Sequence, residues 1–181
     1  MNLDEEKVRL RKCYRSLRKE LHSTFREEAS ARLLENCIRT LSFDVGTVVS
    51  GYIPIDGEIN ILSLMQYIKL MGCTVVAPVV VPDSRVLLFK EWHNDSTLGV
   101  EARTPELLLV PLIAFDDQLH RLGFGGGYYD STICFLKKSN PLLLCVGIAY
   151  DIQRCDKVPV SSHDQGLDLV ITEKHVYNPV R

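Results

Sequence analysis

The chain has no Cys-x-x-Cys pair, and no histidine stands at zinc-ligand spacing from any of its cysteines, which removes the common structural zinc sites. Cys13, Cys37, Cys73, Cys134, Cys145 and Cys155 therefore read mostly as small core residues of a protein kept in a reducing compartment. No apolar run approaches the roughly 18 residues that cross a bilayer. The opening Met1-Asn2-Leu3-Asp4-Glu5-Glu6 is acidic and polar, unlike an export signal, so a soluble, cytoplasmic protein is expected. Neither sign of charge dominates, since 21 Lys and Arg against 23 Asp and Glu leave a net −2. This excludes a general drive toward nucleic acid or membrane surfaces and leaves anion recognition to local clusters. Repeats and low-complexity segments are absent, and no serine occupies a Gly-x-Ser-x-Gly elbow, which argues against a Ser/His/Asp hydrolase. With 181 residues, 46% of them hydrophobic, one domain over residues 1–181 with a sizeable core is expected. The expectation for its state is a monomer acting on small molecules.

Glycine is scarce except in one place. Arg121-Leu122-Gly123-Phe124-Gly125-Gly126-Gly127-Tyr128-Tyr129-Asp130 packs four glycines between an arginine and an aspartate. Glycine lets consecutive backbone amides turn toward one point, forming a concave anion site. The apolar and aromatic run from Tyr128 to Leu136 predicts a helix whose first turn adds free amides and partial positive charge. Arg121 suits phosphate oxygens, and Asp130 makes sense beside phosphate if a divalent cation lies between them. The bland alternative is a surface turn with Asp130 as a helix-start residue. Neither common nucleotide fingerprint is present: Walker A needs Gly-Lys-Ser/Thr, and the dinucleotide pattern needs glycine where Tyr128 stands.

Periodicity sets the remainder. Leu10, Tyr14, Leu17 and Leu21 fall at helical spacing, with Lys7, Arg11, Arg15 and Arg18 as a basic stripe beside them. Alone, such a stripe is a solvated face; joined to the glycine loop, Lys7 and Arg11 become candidate phosphate arms. Thr24 and Glu27 predict a capping box for a second helix to about Leu41, with Leu34, Ile38 and Leu41 facing inward. Residues 45–52, 73–79, 107–111, 142–149 and 167–171 read as short strands buried on both faces, alternating with helices such as 59–71, and residues 85–92 as an additional, antiparallel strand. The pattern predicts α/β layering with ligands at the carboxyl ends of a mainly parallel sheet.

The decapeptide as a whole resembles the signature of the 5-formyltetrahydrofolate cyclo-ligase family. Other segments follow in the order found in that family: Lys7-Val8-Arg9-Leu10-Arg11 is similar to its first-helix Lys-x-x-x-Arg, Tyr52 to Ile59 to its folate segment, Val110 to Asp116 to the strand entering the signature, and His163 to Thr172 to its closing His-Asp…Asp segment. The chain departs from the pattern at His120 and Ser131, and Leu98 to Ala102 stands as a shortened remnant of a Gly-Ile-x-Glu-Pro stretch.

The resemblance implies a layered α/β/α fold of the kind that sugar-phosphate isomerases and acyl-CoA transferases also use. It further implies ATP- and magnesium-dependent closure of 5-formyltetrahydrofolate to 5,10-methenyltetrahydrofolate, through phosphorylation of the formyl oxygen and attack by N10. On this basis ATP is expected at Lys7, Val8, Arg9, Leu10, Arg11 and at Arg121, Leu122, Gly123, Phe124, Gly125, Gly126, Gly127, Tyr128 and Tyr129. Arg121, Lys7 and Arg11 would position phosphate without any covalent nucleophile. Ile53 and Glu58 would bind the folate, and Asp130 and Asp168 the magnesium. His163 and Asp164 read as a turn-stabilising pair. The competing readings are a non-catalytic nucleotide or folate binder, and an isomerase or transferase that shares the architecture.

Overall fold

No proline or glycine interrupts residues 3–40, and the stretch forms one helix, α1 (Leu3–Thr40), of 38 residues and roughly 57 Å, in a computed structural model that describes residues 2–94 and 97–179. A capping box starts it: Asn2 Oδ1 accepts from the Glu5 amide at 2.8 Å and Glu5 Oε2 accepts from the Asn2 amide at 3.0 Å. The expected second cap at Thr24 does not form. The Thr24 hydroxyl instead donates to the carbonyls of Leu21 and Glu20 at 3.3 and 3.4 Å, within a continuing helix. Of the residues expected to face inward, Leu41 is buried and Leu34 is half-buried against the core, whereas Ile38 is exposed and Ala29, Leu33 and Cys37 carry the buried face.

The chain continues through β1 (Val48–Ser50), α2 (Leu62–Leu70), β2 (Thr74–Val79), β3 (Leu88–Asn94), β4 (Thr97–Ala102) and β5 (Leu107–Pro111). A hairpin of β6 (Ala114–Phe115) and β7 (Arg121–Leu122) leads into α3 (Tyr128–Ser139), followed by β8 (Leu144–Ile148), β9 (Leu169–Ile171) and β10 (Val176–Tyr177). Eight strands form one sheet in the order β10-β9-β8-β5-β1-β2-β3-β4. From β9 to β2 the pairings are parallel; β10, β3 and β4 join antiparallel at the two edges. The antiparallel strand expected at 85–92 is thus β3. The stretch read as a shortened remnant forms edge strand β4, and residues 95–96 before it lie outside the described residues.

Alternation along the central strands builds two core layers. Val75, Leu107, Leu109, Val146 and Ile148 pack with α1 and α2 through Leu33, Cys37, Leu64, Met65 and Ile68. Val76, Leu108, Val110 and Cys145 point the other way, onto Ile133 and Leu136 of α3. Fully apolar strands therefore need helices on both faces, and the α/β/α order follows. Cys37, Cys73 and Cys145 are buried, Cys155 is half-buried, and Cys13 and Cys134 are exposed, all as free thiols. No helix among the described residues is long and apolar enough to cross a membrane.

Candidate functional site

From β1 the chain winds outward to β2, whereas β5 returns to the other flank of β1 and continues to β8. Connections leaving the carboxyl ends of β1 and β5 therefore diverge, opening a crevice in which ligands of such sheets bind. A cavity of about 710 Å³ lies there. Its walls are the 52–58 segment after β1, the 78–87 segment after β2, the glycine loop before α3, the first turns of α1, and Ser161 and Asp164.

The loop is held open by its glycines. Gly125 has φ +103°, and a Cβ on it would stand 3.3 Å from the Arg11 guanidinium carbon; Gly127, with φ +69°, is the N-cap of α3. Arg11 Nε donates to Gly123 O at 2.8 Å, tying α1 to the loop. One turn earlier, the buried Lys7 donates from Nζ to Asp164 Oδ2 at 2.5 Å. Arg121 is buried and donates from Nη2 to Asp130 Oδ1 at 2.7 Å. Its Nε and the hydroxyl of the neighbouring Tyr129 are buried without a hydrogen-bond partner among the described residues, a cost that a ligand in the cavity would remove. Lys7, Val8 and Arg11 line the cavity together with every residue from Arg121 to Asp130. Arg9 and Leu10 do not: Arg9 is exposed, and Leu10 packs against the β6–β7 hairpin, since they lie on other sides of the helix.

On the opposite wall, Ile53, Ile55 and Glu58 line the same space. Glu58 is 4% exposed, and its Oε2 accepts from the Ile55 amide at 2.9 Å. Burial pushes its carboxyl up to about 7, against the Ile55 bond and the Arg18 charge. The segment is pinned by a residue first read as part of a solvated stripe. Arg18 is fully buried and donates to Leu112 O at 3.1 Å and to Asp56 O at 2.8 Å. Asp56 also receives Arg15 at 2.8 Å and Lys19 at 2.5 Å, and the Arg15 bond foremost holds its carboxyl down at about 2, against desolvation. Phe124 completes this corner, with the guanidinium carbon of Arg18 5.3 Å from its ring centre. Trp92 lies away from this corner, in the core layer that packs against α1 and α2.

The two metal aspartates expected from the sequence are not brought together. Asp168 precedes β9 at the amino ends of the parallel strands. There its Oδ2 accepts from the Cys145 amide at 2.8 Å and lies 3.6 Å from Lys137 Nζ, so it does not line the cavity. Asp164, four residues earlier, does line it. Burial opposes ionisation of Asp164, but hydrogen bonds from Lys7 and Ser161 outweigh it and hold the carboxyl below its ordinary range. The Lys7 and Ser161 bonds both fall on Oδ2, at 2.5 and 2.7 Å. At Asp130 the bonds from Arg121 and from the Gln165 amide both fall on Oδ1, leaving Oδ2 without a hydrogen-bond partner among the described residues. Two carboxylates, each bonded through a single oxygen beside a phosphate-type cradle, fit a divalent cation that takes few protein ligands. The missed signal was the His163-Asp164 pair itself, whose carboxylate comes five residues before a strand and so returns over the crevice.

Both the sequence and the fold have counterparts among known proteins. The sequence profile of the 5-formyltetrahydrofolate cyclo-ligase family matches residues 3–173. The 5-formyltetrahydrofolate cyclo-ligase of Escherichia coli (strain K12) is 33% identical over 148 residues, covering 71% of this chain and 79% of that protein. Its counterpart in Haemophilus influenzae is 26% identical over 177 residues, covering 88% and 94%. The solved 5,10-methenyltetrahydrofolate synthetase from Mycoplasma pneumoniae shares the fold with a TM-score of 0.78 at 24% identity, over 92% of this chain and 98% of that one. The Aquifex aeolicus synthetase gives 0.76 at 29% identity, over 95% and 92%.

Proposed function

Because the chain belongs to the 5-formyltetrahydrofolate cyclo-ligase family and is an enzyme that converts 5-formyltetrahydrofolate to 5,10-methenyltetrahydrofolate, we propose that the crevice at the carboxyl ends of β1 and β5 holds ATP and the folate against each other. The family uses ATP. The observation that carries the assignment of sides is the Arg11–Gly123 bond, which locks α1 onto the glycine loop. Lys7, Arg11 and Arg121 thereby come to one wall while Glu58 and Ile53 stand on another.

On this reading the loop amides from Gly123 to Tyr129 and the start of α3 hold the phosphates, with Lys7, Val8, Arg11 and Arg121 around them. Glu58, when ionised, accepts paired hydrogen bonds from the amino-pyrimidine edge of the pterin, and Ile53 and Phe124 cover the ring. Magnesium would be held by Asp130 and Asp164 and would supply charge neutralisation between those carboxylates and the phosphates. The formyl oxygen takes the terminal phosphoryl group, and ADP leaves with the electrons of the broken P–O bond. N10 then attacks the activated carbon and loses its proton, and phosphate departs with the C–O electrons as the methenyl bridge closes. No protein nucleophile is needed, since phosphoryl transfer rests on positioning and charge stabilisation. Every assigned group comes from one chain, so a monomer suffices, and the free thiols suit the cytoplasm.

The test follows methenyl absorbance and ADP release with 5-formyltetrahydrofolate, ATP and magnesium. The proposal expects both signals to require all three components. ADP release that ignores the folate, or product formed without magnesium, would sink the arrangement.

A further inference from the structure

The connection between β2 and β3 brings a cation to the crevice that the assignments above do not use. Arg85 lines the cavity, and, unlike Lys7, Arg11 and Arg121, it makes no hydrogen bond or ion pair with any described residue. Its position is built rather than loose. Asp83 takes a left-handed φ of +59°, tightening the turn. Ser84 Oγ donates to Val86 O at 3.1 Å and accepts from the Val86 amide at 3.0 Å. Two residues beyond Arg85, the buried Leu87 donates its amide to Thr132 Oγ1 of α3 at 2.9 Å, and Thr132 Oγ1 donates to Tyr128 O at 2.6 Å. The turn is thereby fastened to the first turn of α3, and a Cβ on Gly127 would lie 3.9 Å from Arg85 Nη1.

An unpaired guanidinium facing a helix N-terminus sets two positive sources against each other, and an anion between them relieves both. The glycine loop makes that anion a phosphate. The other cations already serve protein groups and hold the cradle together; Arg85 has all its donors available for the group that changes charge. Resting on the reading of the crevice given above, we propose that Arg85 contacts the transferred phosphoryl group of ATP. It stabilises the charge spread over the equatorial oxygens as the bond to the ADP oxygen breaks and the bond to the formyl oxygen forms. It is a further catalytic residue, supplied from the β2–β3 turn and not from the glycine signature.

Arg85 is exposed, so its replacement leaves the core intact. In the intact 181-residue chain, Arg85→Ala is expected to lower kcat by about 100-fold, with KM for 5-formyltetrahydrofolate changed less than about threefold and an unaltered melting temperature; Arg85→Lys recovers part of the loss. A binding readout independent of turnover accompanies this. Affinity for ADP with magnesium stays near wild type, while affinity for ADP with magnesium and aluminium fluoride, a mimic of the moving phosphoryl group, falls about tenfold or more. An unchanged kcat in Arg85→Ala overturns the proposal. So does a normal kcat with a raised folate KM, which would give Arg85 to the substrate's glutamate carboxylates. Failure of the crevice reading itself would show separately, as unmutated protein whose ADP release does not depend on the formylated folate.

Discussion

Lys7 Nζ and Asp164 Oδ2 meet at 2.5 Å although 157 positions separate them in the chain. The pair joins the first helix to the segment before β9, and both residues line the crevice. This ion pair, largely dehydrated, aims the lysine along the crevice wall and helps hold the Asp164 carboxyl below its ordinary range.

Replacing Lys7 by Met should therefore do two things. We expect KM for ATP to rise about tenfold or more, and the magnesium requirement to change as well, because Asp164 loses its partner. Normal magnesium dependence together with weak ATP use would separate the two residues.

The choice between Asp164 and Asp168 can be decided by three variants. Asp130→Asn and Asp164→Asn should each shift the magnesium titration of activity upward by about tenfold or more. Asp168→Asn should leave that titration in place, since its carboxylate serves the Cys145 amide at the far end of the strands. A magnesium defect confined to Asp168→Asn would return the metal to the position first expected from the sequence.

Glu58 carries a pH dependence of known sign. Its carboxyl titrates near 4.5 when unfolded and at about 7 when folded, so the folded protein holds the extra proton between those values and loses stability as pH rises through them. Glu58→Gln should melt at the same temperature as wild type near pH 4 and several degrees higher near pH 8. Folate affinity moves the other way: it should improve in wild type as pH rises through about 7, when the carboxylate forms, and stay weak and flat in the variant. Calorimetric melts and a folate-binding titration across this range check both halves.

Arg18 should matter without touching phosphate. Arg18→Met leaves the Asp56 carbonyl without its donor and the Leu112 carbonyl with Gln153 alone, and should cost about 3 kcal/mol in urea unfolding. Folate binding should weaken as the 52–58 segment loosens, with ADP binding near normal. A stable variant with a nucleotide defect would refute this division.

Much of the fold was legible because its strands are apolar on both faces and its helices keep a 3.6-residue period, so runs such as those around Val75, Leu107 and Val146 call for a sheet covered on both sides. The glycine loop was legible for a different reason: several adjacent residues without Cβ atoms have few explanations other than a backbone that must approach something. The false break at Thr24 came from trusting a local cap pattern where no proline or glycine enforced an end. Asp164 read as a turn-stabilising residue because a short polar turn carries no periodicity, and Arg85 read as the first residue of a strand although the strand begins at Leu88.

What the amino-acid sequence determined by itself is the local chemistry: which segments pair or coil, where amides can turn inward, and which side chains are able to take phosphate or metal. What only the tertiary structure decided is which of them share a space. Asp164 and Asp168 stand four residues apart in one segment, yet the strand that follows has a direction, and direction alone sends one to the crevice and leaves the other at the opposite edge. Arg18, Lys7 and Arg11 lie on one helix, but the neighbours each meets, Leu112, Asp164 and Gly123, are set by packing across the whole chain. Burial and counter-charge, which turn an arginine into a clamp and a glutamate into a group titrating near neutrality, are properties of that packing and have no local signal in sequence.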